Sequence, residues 1–267
     1  MTTIGKGGFG KAKLTTYNGK SAVVKYLNVN ADPRATLATC TVNRNSAQQE
    51  GEIMKLFKNK ENIAEIYSIV GHAIYMKYYP LGSLRNLIDK GQVDYNRYFI
   101  LYGISLGLKD IHDLGFVHSD IKASNILCEE SYKDNKKYIN ACISDFGGAQ
   151  KKGSTLSCLT FGYVPPETLT SGILSYETDI FALGKLLLEL FTKKSQSDVA
   201  RINYDNFSIY ANINDFSNNY QDKNFTTSYS VKNELYNFVR NCLNPSPEKR
   251  PSLNDFISFG GRNYKLG

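Results

Sequence analysis

Apolar and polar residues follow different patterns in the two parts of the chain. Up to about residue 79, short β-prone runs separated by turn residues are typical of strands. Asn18-Gly19 lies between two such runs and predicts a β-hairpin over 15–26. Apolar positions spaced as on one helix face predict a helix over 48–58. The other elements expected in this part are strands over 63–70 and 73–79, and a loop or short irregular helix over 28–45.

Beyond Pro80, apolar positions recur at helical spacing over longer stretches. Gly115 follows the last apolar position of one stretch, where a glycine commonly ends a helix. The expected helices cover 83–90, 95–114, 176–192, 231–243 and 253–259. Short strands are expected at 125–128 and 138–144, with a polar insertion over 129–137, and 193–230 is expected to be mostly loop with short helices.

This change of pattern predicts an α+β fold with two lobes. A small β-rich lobe of about residues 1–76 is followed by a connector over about 77–82 and a larger, mostly helical lobe over about 83–267. A chain of 267 residues suits one domain, or two lobes that share a cleft. Hydrophobic residues make up 42% and charged residues 21%, which is typical of a globular protein.

Charge and cysteine content exclude several classes of protein. The net charge is +7, but no dense Lys/Arg block or nucleic-acid recognition motif accompanies it. No apolar run reaches the roughly 18 residues of a membrane span, and the first residues lack a signal-peptide pattern. The five cysteines are scattered, and no pair has metal-ligand spacing. We therefore expect an intracellular protein, cytoplasmic or nuclear, with reduced thiols.

Glycines recur in the segment Gly5-Lys6-Gly7-Gly8-Phe9-Gly10. Such spacing lets the backbone fold closely over phosphates, although the pattern alone is weak evidence. It opens no helix and precedes no Gly-Lys-Ser/Thr, which disfavours Rossmann and Walker sites.

Lys25 ends an apolar strand on the far arm of the expected hairpin. A lysine there either extends into solvent or reaches back to phosphates under the glycine turn, and the second role needs an orienting carboxylate. Glu50 and Glu52 both lie on the next helix. We favour Glu50, because Ile53 and Met54 then fall on the same packing face.

A compact set of polar residues follows the helix expected over 95–114. Asp120, Lys122 and Asn125 bring a carboxylate, an ammonium and an amide within six positions, and Asp145 follows a strand 20 residues after Asn125. Oxygen atoms of Asn125 and Asp145 suit a hard cation such as Mg²⁺. Asp120 is suited to accept a hydrogen bond from an incoming hydroxyl, and Lys122 to neutralise a moving phosphoryl group.

In this order the motifs resemble the signature set of the eukaryotic-type protein kinases, over residues 4–257. The resemblance implies a bilobal fold, ATP as phosphate donor, Mg²⁺ as cofactor and a protein hydroxyl as acceptor. It implies that Asp120 is the catalytic base with Lys122 as partner, that Asn125 and Asp145 bind metal, and that Lys25, paired with Glu50, holds the α and β phosphates. The nucleotide-binding residues it implies are Ile4, Gly5, Lys6, Gly7, Gly8, Phe9, Gly10, Ala12, Val23, Lys25, Met76, Tyr78, Tyr79 and Leu127.

The resemblance also implies structural roles in the second lobe. Glu167 is expected to pair with Arg250, and Asp179 to tether the backbone of the catalytic loop. Lys122 and Thr160 match the pattern of Ser/Thr kinases rather than tyrosine kinases. The alternatives are a pseudokinase with the same fold, disfavoured by the complete set of polar residues, and a small-molecule kinase, disfavoured by the 160–167 segment.

Ser119 departs from the family pattern, since it replaces the Arg of His-Arg-Asp. That Arg receives the phosphate of the activation loop, and a Ser hydroxyl cannot form the same charge-assisted pair. We therefore expect a kinase that is active without phosphorylation of its activation loop, although Ser154, Thr155 and Ser157 are available there.

Overall fold

The N-terminal part of the molecule is built on one antiparallel sheet. The computed structural model describes residues 2–7, 10–27, 46–93, 96–133, 136–157, 159–211, 216 and 229–264. The sheet has the strand order β1-β2-β3-β5-β4. Its strands are β1 (Thr2–Gly7), β2 (Gly10–Tyr17), β3 (Lys20–Leu27), β4 (Ile66–Val70) and β5 (Ala73–Lys77), and helix α1 (Ser46–Lys55) packs beside β4.

The predicted hairpin joins β2 to β3. Asn18 and Gly19 have φ values of 48° and 77°, as a tight turn between right-twisted strands requires. The register then places Lys25 opposite Ala12 on β2 and opposite Ile74 on β5. The hairpin turn therefore sets the position at which the Lys25 side chain leaves the sheet.

The C-terminal part is mainly helical, which confirms the predicted two-lobed fold. A three-stranded sheet in the order β6-β8-β9 and the pair β7-β10 lie among the helices. The strands are β6 (Gly82–Ser83), β7 (Phe116–Val117), β8 (Ile126–Lys133), β9 (Lys136–Ile143) and β10 (Gln150–Lys151). The helices are α2 (Leu84–Asp89), α3 (Arg97–Asp113), α4 (Pro166–Ser171), α5 (Tyr176–Thr192), α6 (Gln196–Ala200), α7 (Phe207–Tyr210), α8 (Tyr229–Cys242) and α9 (Leu253–Tyr264).

Helix α5 lies at the centre of this part, as its apolar sequence predicted. Every residue from Thr178 to Thr192 is buried. A capping box between Ser175 and Thr178 begins the helix, and Lys193 in the left-handed conformation ends it. Its burial fixes it as the element against which the surrounding loops are held.

Several predicted boundaries were wrong. The stretch expected as a polar insertion over 129–137 contributes to β8 and β9, which continue as a hairpin with Lys133 paired to Lys136. Cross-strand hydrogen bonds, which do not depend on apolar alternation, extend this pair. Helix α9 runs to Tyr264, beyond the expected end at residue 259. The predicted loop over 28–45 lies outside the described residues.

The part of the chain that the structure describes has neither a membrane-spanning helix nor a disulfide bond. None of its helices is long and apolar enough to cross a membrane. Cys128, Cys142 and Cys242 are buried free thiols, whereas Cys40 and Cys158 lie outside the described residues.

Lys185 is a charged residue in the buried middle of α5, and its side chain is only 1% exposed. Its Nζ donates hydrogen bonds to the carbonyl oxygens of Val199, at 3.0 Å, and Ile202. No described carboxylate forms an ion pair with it. Burial lowers the pKa of Lys185 to about 7, because removal from water disfavours the ammonium form.

This buried amine predicts a pH-dependent stability. The unfolded chain holds the Lys185 proton up to the ordinary pKa of 10.5, whereas the folded chain releases it near 7. The destabilisation is therefore complete below pH 7 and diminishes as the pH rises towards 10.5. Relative to Lys185→Met, the wild type should gain roughly 1.4 kcal/mol of unfolding free energy per pH unit between pH 7 and 9 in urea titrations. Parallel pH profiles for the two proteins would contradict this result.

Candidate active site

An ion-pair network connects the sheet, helix α1 and the segment after β9. Lys25 Nζ lies 2.8 Å from Glu50 Oε1 and 2.6 Å from Asp145 Oδ1. The structure thus gives Lys25 the partner favoured from the sequence, while the competing Glu52 pairs with Lys55 at the surface. Residues from three distant segments thus meet at the ammonium group of Lys25.

Burial strengthens the electrostatic interactions within this network. The Glu50 side chain is 2% exposed, and burial raises the pKa of its carboxyl group. Burial acts on Asp145 in the same direction, but the Lys25 charge outweighs it and lowers the pKa of Asp145. Burial opposes the Lys25 charge, yet Asp145 and Glu50 raise the pKa of Lys25 above its usual range. Lys25 is therefore a cation, held beside an ionised Asp145.

Asp120 is the centre of a second polar network. Lys122 Nζ donates to Oδ1 and Oδ2 of Asp120 at 3.0 and 2.8 Å. The Thr160 hydroxyl donates to Asp120 Oδ1 at 2.5 Å and accepts from Lys122 Nζ at 2.8 Å. Asn125 Nδ2 donates to Asp120 Oδ2 at 2.8 Å. These donors fix the orientation of the Asp120 carboxylate. Asp120 is buried, with only 5% of the residue exposed.

The backbone of the Asp120 loop is held by Asp179 at the start of α5. The Asp179 carboxylate accepts hydrogen bonds from the amides of His118 and Ser119, both at 2.8 Å, and contacts His112 Nε2 at 2.9 Å. The structure thus forms the tether that the resemblance implied. Ser119 adopts the left-handed conformation at φ 65°, which costs free energy outside glycine and needs such support.

The side chain of Ser119 has its own neutral contact. Its hydroxyl donates to the carbonyl oxygen of Gly148 at 2.7 Å, within a residue that is 6% exposed. The bond joins the loop of Asp120 to the segment that follows Asp145. An arginine at this position would introduce a charge where the structure has a compact hydroxyl bond.

Asn125 and Asp145 have the donor atoms expected of a magnesium site. The Asn125 amide nitrogen donates to Asp120 at both its backbone oxygen, 2.9 Å away, and its Oδ2. This assignment leaves the Asn125 amide oxygen as an acceptor. An amide oxygen and a carboxylate of lowered pKa fit a hard divalent cation.

Most of the residues assigned to the base of a nucleotide are apolar and come from the strands β2, β3, β5 and β8 and from the connector. Val23, Met76 and Tyr79 are buried, and the half-buried side chains of Ala12, Tyr78 and Leu127 pack against the same core. Register places Val23 opposite Met76.

The connector leaves few backbone groups free. Lys77 N donates to Glu65 O, and Gly82 N donates to Tyr79 O. Among the described residues, both backbone groups of Tyr78 and the amide of Tyr79 have no protein partner and are available to a ligand.

The glycine segment is described only in part. Gly7 pairs with Gly10 across β1 and β2, and the register shifts between Thr3 and Gly5. Gly8 and Phe9 lie outside the described residues, and the roles assigned to Ile4, Lys6 and the glycines stay predictions. The backbone pairing shows that the segment turns back on itself at the end of the sheet.

Neutral hydrogen bonds hold the segment between β10 and α4. Leu156 N donates to Gly172 O at 2.7 Å, and Leu174 N donates to Ser154 O at 2.9 Å. Gln150 Nε2 donates to the Ser157 hydroxyl at 2.5 Å. The stretch from Ser154 to Ser157 is thus held by these contacts between uncharged groups.

Glu167 and Arg250 form the predicted ion pair at the base of this segment. Their atoms lie 2.6 and 2.8 Å apart in a bidentate arrangement, and Arg250 also donates to the carbonyl oxygens of Glu177 and Asn244. The Arg250 side chain is 1% exposed. All its polar atoms therefore have acceptors inside the protein.

Sequence reasoning missed a third network, centred on Glu189 of α5. Its carboxylate accepts from the Tyr163 hydroxyl at 2.8 Å, the Ala123 amide at 3.2 Å and Arg85 Nη1 at 3.1 Å. Burial raises the pKa of Glu189, and burial beside that carboxylate raises the pKa of Tyr163. The available signal was a charged residue within an otherwise apolar helix.

His118 was also missed as a structural residue. It is fully buried, and its Nε2 lies 3.1 Å from the carbonyl oxygen of Ser144. Burial lowers the pKa of His118, so the ring is neutral. Its ring meets Phe146 edge-on at 5.0 Å, and Phe146 stacks on Phe57 of the α1 region at 5.5 Å. This aromatic contact links the two networks through the core.

Comparisons with known proteins agree with this geometry. A family model described as the protein kinase domain matches residues 1–259. The chain therefore belongs to the protein kinase family.

Its relatives include plant receptor-like kinases from Arabidopsis thaliana. The chain is similar to putative cysteine-rich receptor-like protein kinase 30, with 30% identity over 96% of this chain and 38% of that protein. It is similar to the probable LRR receptor-like serine/threonine-protein kinase At1g53430, with 28% identity over 96% of this chain and 26% of that protein. It is also similar to the putative inactive receptor-like protein kinase At1g64210, with 30% identity over 74% of this chain and 33% of that protein. The chain thus spans about a quarter to two fifths of the length of these relatives.

The Glu167–Arg250 pair predicts a large effect on stability. Glu167→Gln removes the countercharge from a guanidinium that is 1% exposed. Because a buried charge without its partner is costly, we expect a loss of about 3 kcal/mol in the free energy of unfolding, measured by urea denaturation. The matched control is Asp113→Asn, which breaks the exposed pair with Lys109 and should cost less than about 0.5 kcal/mol. Similar losses in the two variants would show that burial does not govern the pair.

Proposed function

We propose that the protein transfers the γ-phosphate of ATP to Ser or Thr hydroxyls of protein substrates. The observation that carries the proposal is the meeting of two networks: Lys25 with Glu50 and Asp145, and Asp120 with Lys122, Asn125 and Thr160. The network around Asp120 is linked to Asp145 through Asn125. The backbone amide and the hydroxyl of Ser144, the residue before Asp145, both donate to the carbonyl oxygen of Asn125. Family membership supports the same activity.

Each network has its own role in this reaction. Lys25 stabilises the α and β phosphates and is itself held in place by Glu50. Asn125 and Asp145 would hold Mg²⁺, which would neutralise the negative charge that develops on the phosphate oxygens. The free backbone groups of Tyr78 and Tyr79 would bind the adenine edge between the apolar side chains of Val23 and Leu127.

Asp120 receives the proton of the acceptor hydroxyl. The hydroxyl oxygen forms a bond to the γ-phosphorus, the bond from that phosphorus to the β,γ-bridging oxygen breaks, and the proton passes to the Asp120 carboxylate. Four hydrogen bonds already occupy Asp120, two of them from Lys122. Lys122 is the donor that can release one bond, because the transferring phosphoryl group offers its Nζ a new acceptor.

Two contacts support Ser/Thr acceptors. Lys122 lies close to the carboxylate, and Thr160 bridges Lys122 to Asp120. This bridge fixes the peptide-binding segment near the base, which favours an acceptor oxygen on a short side chain. One relative carries serine/threonine-protein kinase in its name, which agrees with this choice.

Activity without phosphorylation of the activation loop is part of the proposal. Ser119 already has a hydrogen-bond acceptor in Gly148, and backbone bonds together with the Gln150–Ser157 bond hold the loop. These contacts supply the order that a phosphate–arginine pair provides in other kinases. A phosphate is therefore not needed to place Thr160 beside Asp120.

The assignment of Asp120 predicts the effect of its replacement. Asp120→Asn removes the proton acceptor at nearly constant size, so kcat with Mg-ATP and a Ser/Thr peptide should fall about 10³-fold while ATP binding persists. Asp110→Asn is the matched control, because Asp110 lies in a partly exposed pair with Lys60, and it should retain the wild-type rate.

A peptide array with Ser, Thr and Tyr acceptors provides the substrates for this measurement. Transfer to Tyr alone would refute the acceptor assignment, and an unchanged rate in Asp120→Asn would refute the role of Asp120. ATP binding without transfer by the wild type would identify an inactive member of the family instead, and one relative is named a putative inactive receptor-like protein kinase.

Activity without phosphorylation of the activation loop yields a second prediction. Replacing Ser154, Thr155 and Ser157 together by Ala should keep kcat within about threefold of the wild type, because no phosphate is needed and the backbone hydrogen bonds of the loop remain when the Gln150–Ser157 bond is lost. Protein treated with a phosphatase should behave in the same way. Loss of activity in either preparation would show that phosphorylation is required.

A further inference from the structure

Three buried charged residues of α5 face different parts of the active region, and only two of them have an explained role. Asp179 holds the backbone at His118 and Ser119, and Glu189 holds Tyr163 and Ala123. Lys185 lies one helical turn before Glu189 and contacts neither network directly. Its hydrogen bonds go to Val199 and Ile202 instead.

The two acceptors of Lys185 flank a short turn at the end of α6. Arg201 N donates to Asp198 O, and Ile202 N donates to Val199 O, so the chain reverses over these residues. The side chains of Val199 and Ile202 are buried, at 0% and 1% exposure. Lys185 thus holds the turn from the inside through its Nζ, which has no other described hydrogen-bond acceptor.

The same turn touches the segment that carries Thr160. Gly162 has φ 78°, and a Cβ atom there would overlap the carbonyl oxygen and the Cα of Ala200. Ala200 lies between the two residues that Lys185 binds. Gly162 lies between Thr160, which is bonded to Asp120, and Tyr163, which is bonded to Glu189. A shift of the turn would therefore move the backbone next to Thr160.

We infer that Lys185 is a positioning residue for the protein substrate: it holds the 199–202 turn against Gly162 and so fixes the Thr160–Tyr163 segment beside Asp120. Phe161 in this segment is 81% exposed and is therefore accessible to a peptide. The inference deepens the proposed function and rests on it. Lys25 and the connector lie in another part of the molecule, so the nucleotide site should not depend on Lys185.

The separation of the two sites defines the test. Lys185→Met replaces the side chain by an unbranched apolar one that is one atom shorter, and it removes both hydrogen bonds. We expect the KM for a peptide substrate to rise about tenfold, because a small displacement of a positioned segment is costly. The KM for ATP should stay within twofold of the wild type. An equal rise in both constants, or no rise in either, would overturn the inference.

A control variant separates positioning from general loosening of α5. Leu243 packs against the same helix at Gly184, where its Cδ2 lies 3.3 Å from the place that a Cβ atom would take. Leu243→Ala should lower the thermal midpoint while leaving the peptide KM unchanged. A rise in peptide KM that matched that of Lys185→Met would assign the effect to lost stability and overturn the inference.

Hydrogen–deuterium exchange keeps this test independent of the proposed activity. Amides in 159–164 and 199–202 should exchange faster in Lys185→Met than in Leu243→Ala or the wild type, and amides of β3 should not. If the wild type transferred no phosphate, the proposed function would fail, and the exchange pattern would still decide the placement of Lys185. Unchanged exchange over 159–164 would overturn that placement.

Discussion

The buried carboxylate of Asp179 forms the hydrogen bonds on which the active region depends. It accepts two backbone amides from the loop of Asp120 and lies at 0% exposure in the first turn of α5. Charge-assisted hydrogen bonds of this kind are strong where water is excluded. They allow Ser119 to keep a left-handed backbone and direct Asp120 towards Lys122 and Thr160. Because α5 is buried from Thr178 to Thr192, these hydrogen bonds attach the loop of Asp120 to the core.

The sheet lobe reaches the same region through a different interaction. Lys25 extends from β3 to Glu50 and Asp145, so one cation joins the sheet, helix α1 and the segment after β9. The stacking of Phe57 on Phe146 adds an apolar link alongside it. The two lobes are thus connected by an ion-pair network and by an apolar core contact.

Sequence reasoning succeeded where periodicity or motif spacing was strong. The helix at Tyr176–Thr192 and the hairpin turn at Asn18 and Gly19 were placed correctly, since each follows from local chemistry. It failed for the β8–β9 hairpin, whose polar strands are held by backbone bonds rather than by an apolar face. It also overlooked Lys185 and Glu189, although charged residues in an apolar helix signal buried partners.

The amino-acid sequence by itself determined which chemical groups are present and in which order, and it marked most helices and strands. Only the tertiary structure decided which groups meet: that Lys25 takes Glu50 while Glu52 pairs with Lys55, and that Lys185 binds two carbonyl oxygens rather than a carboxylate. The reason is physical. Periodicity reports the face a residue presents, whereas a contact between distant segments depends on how the elements pack against one another.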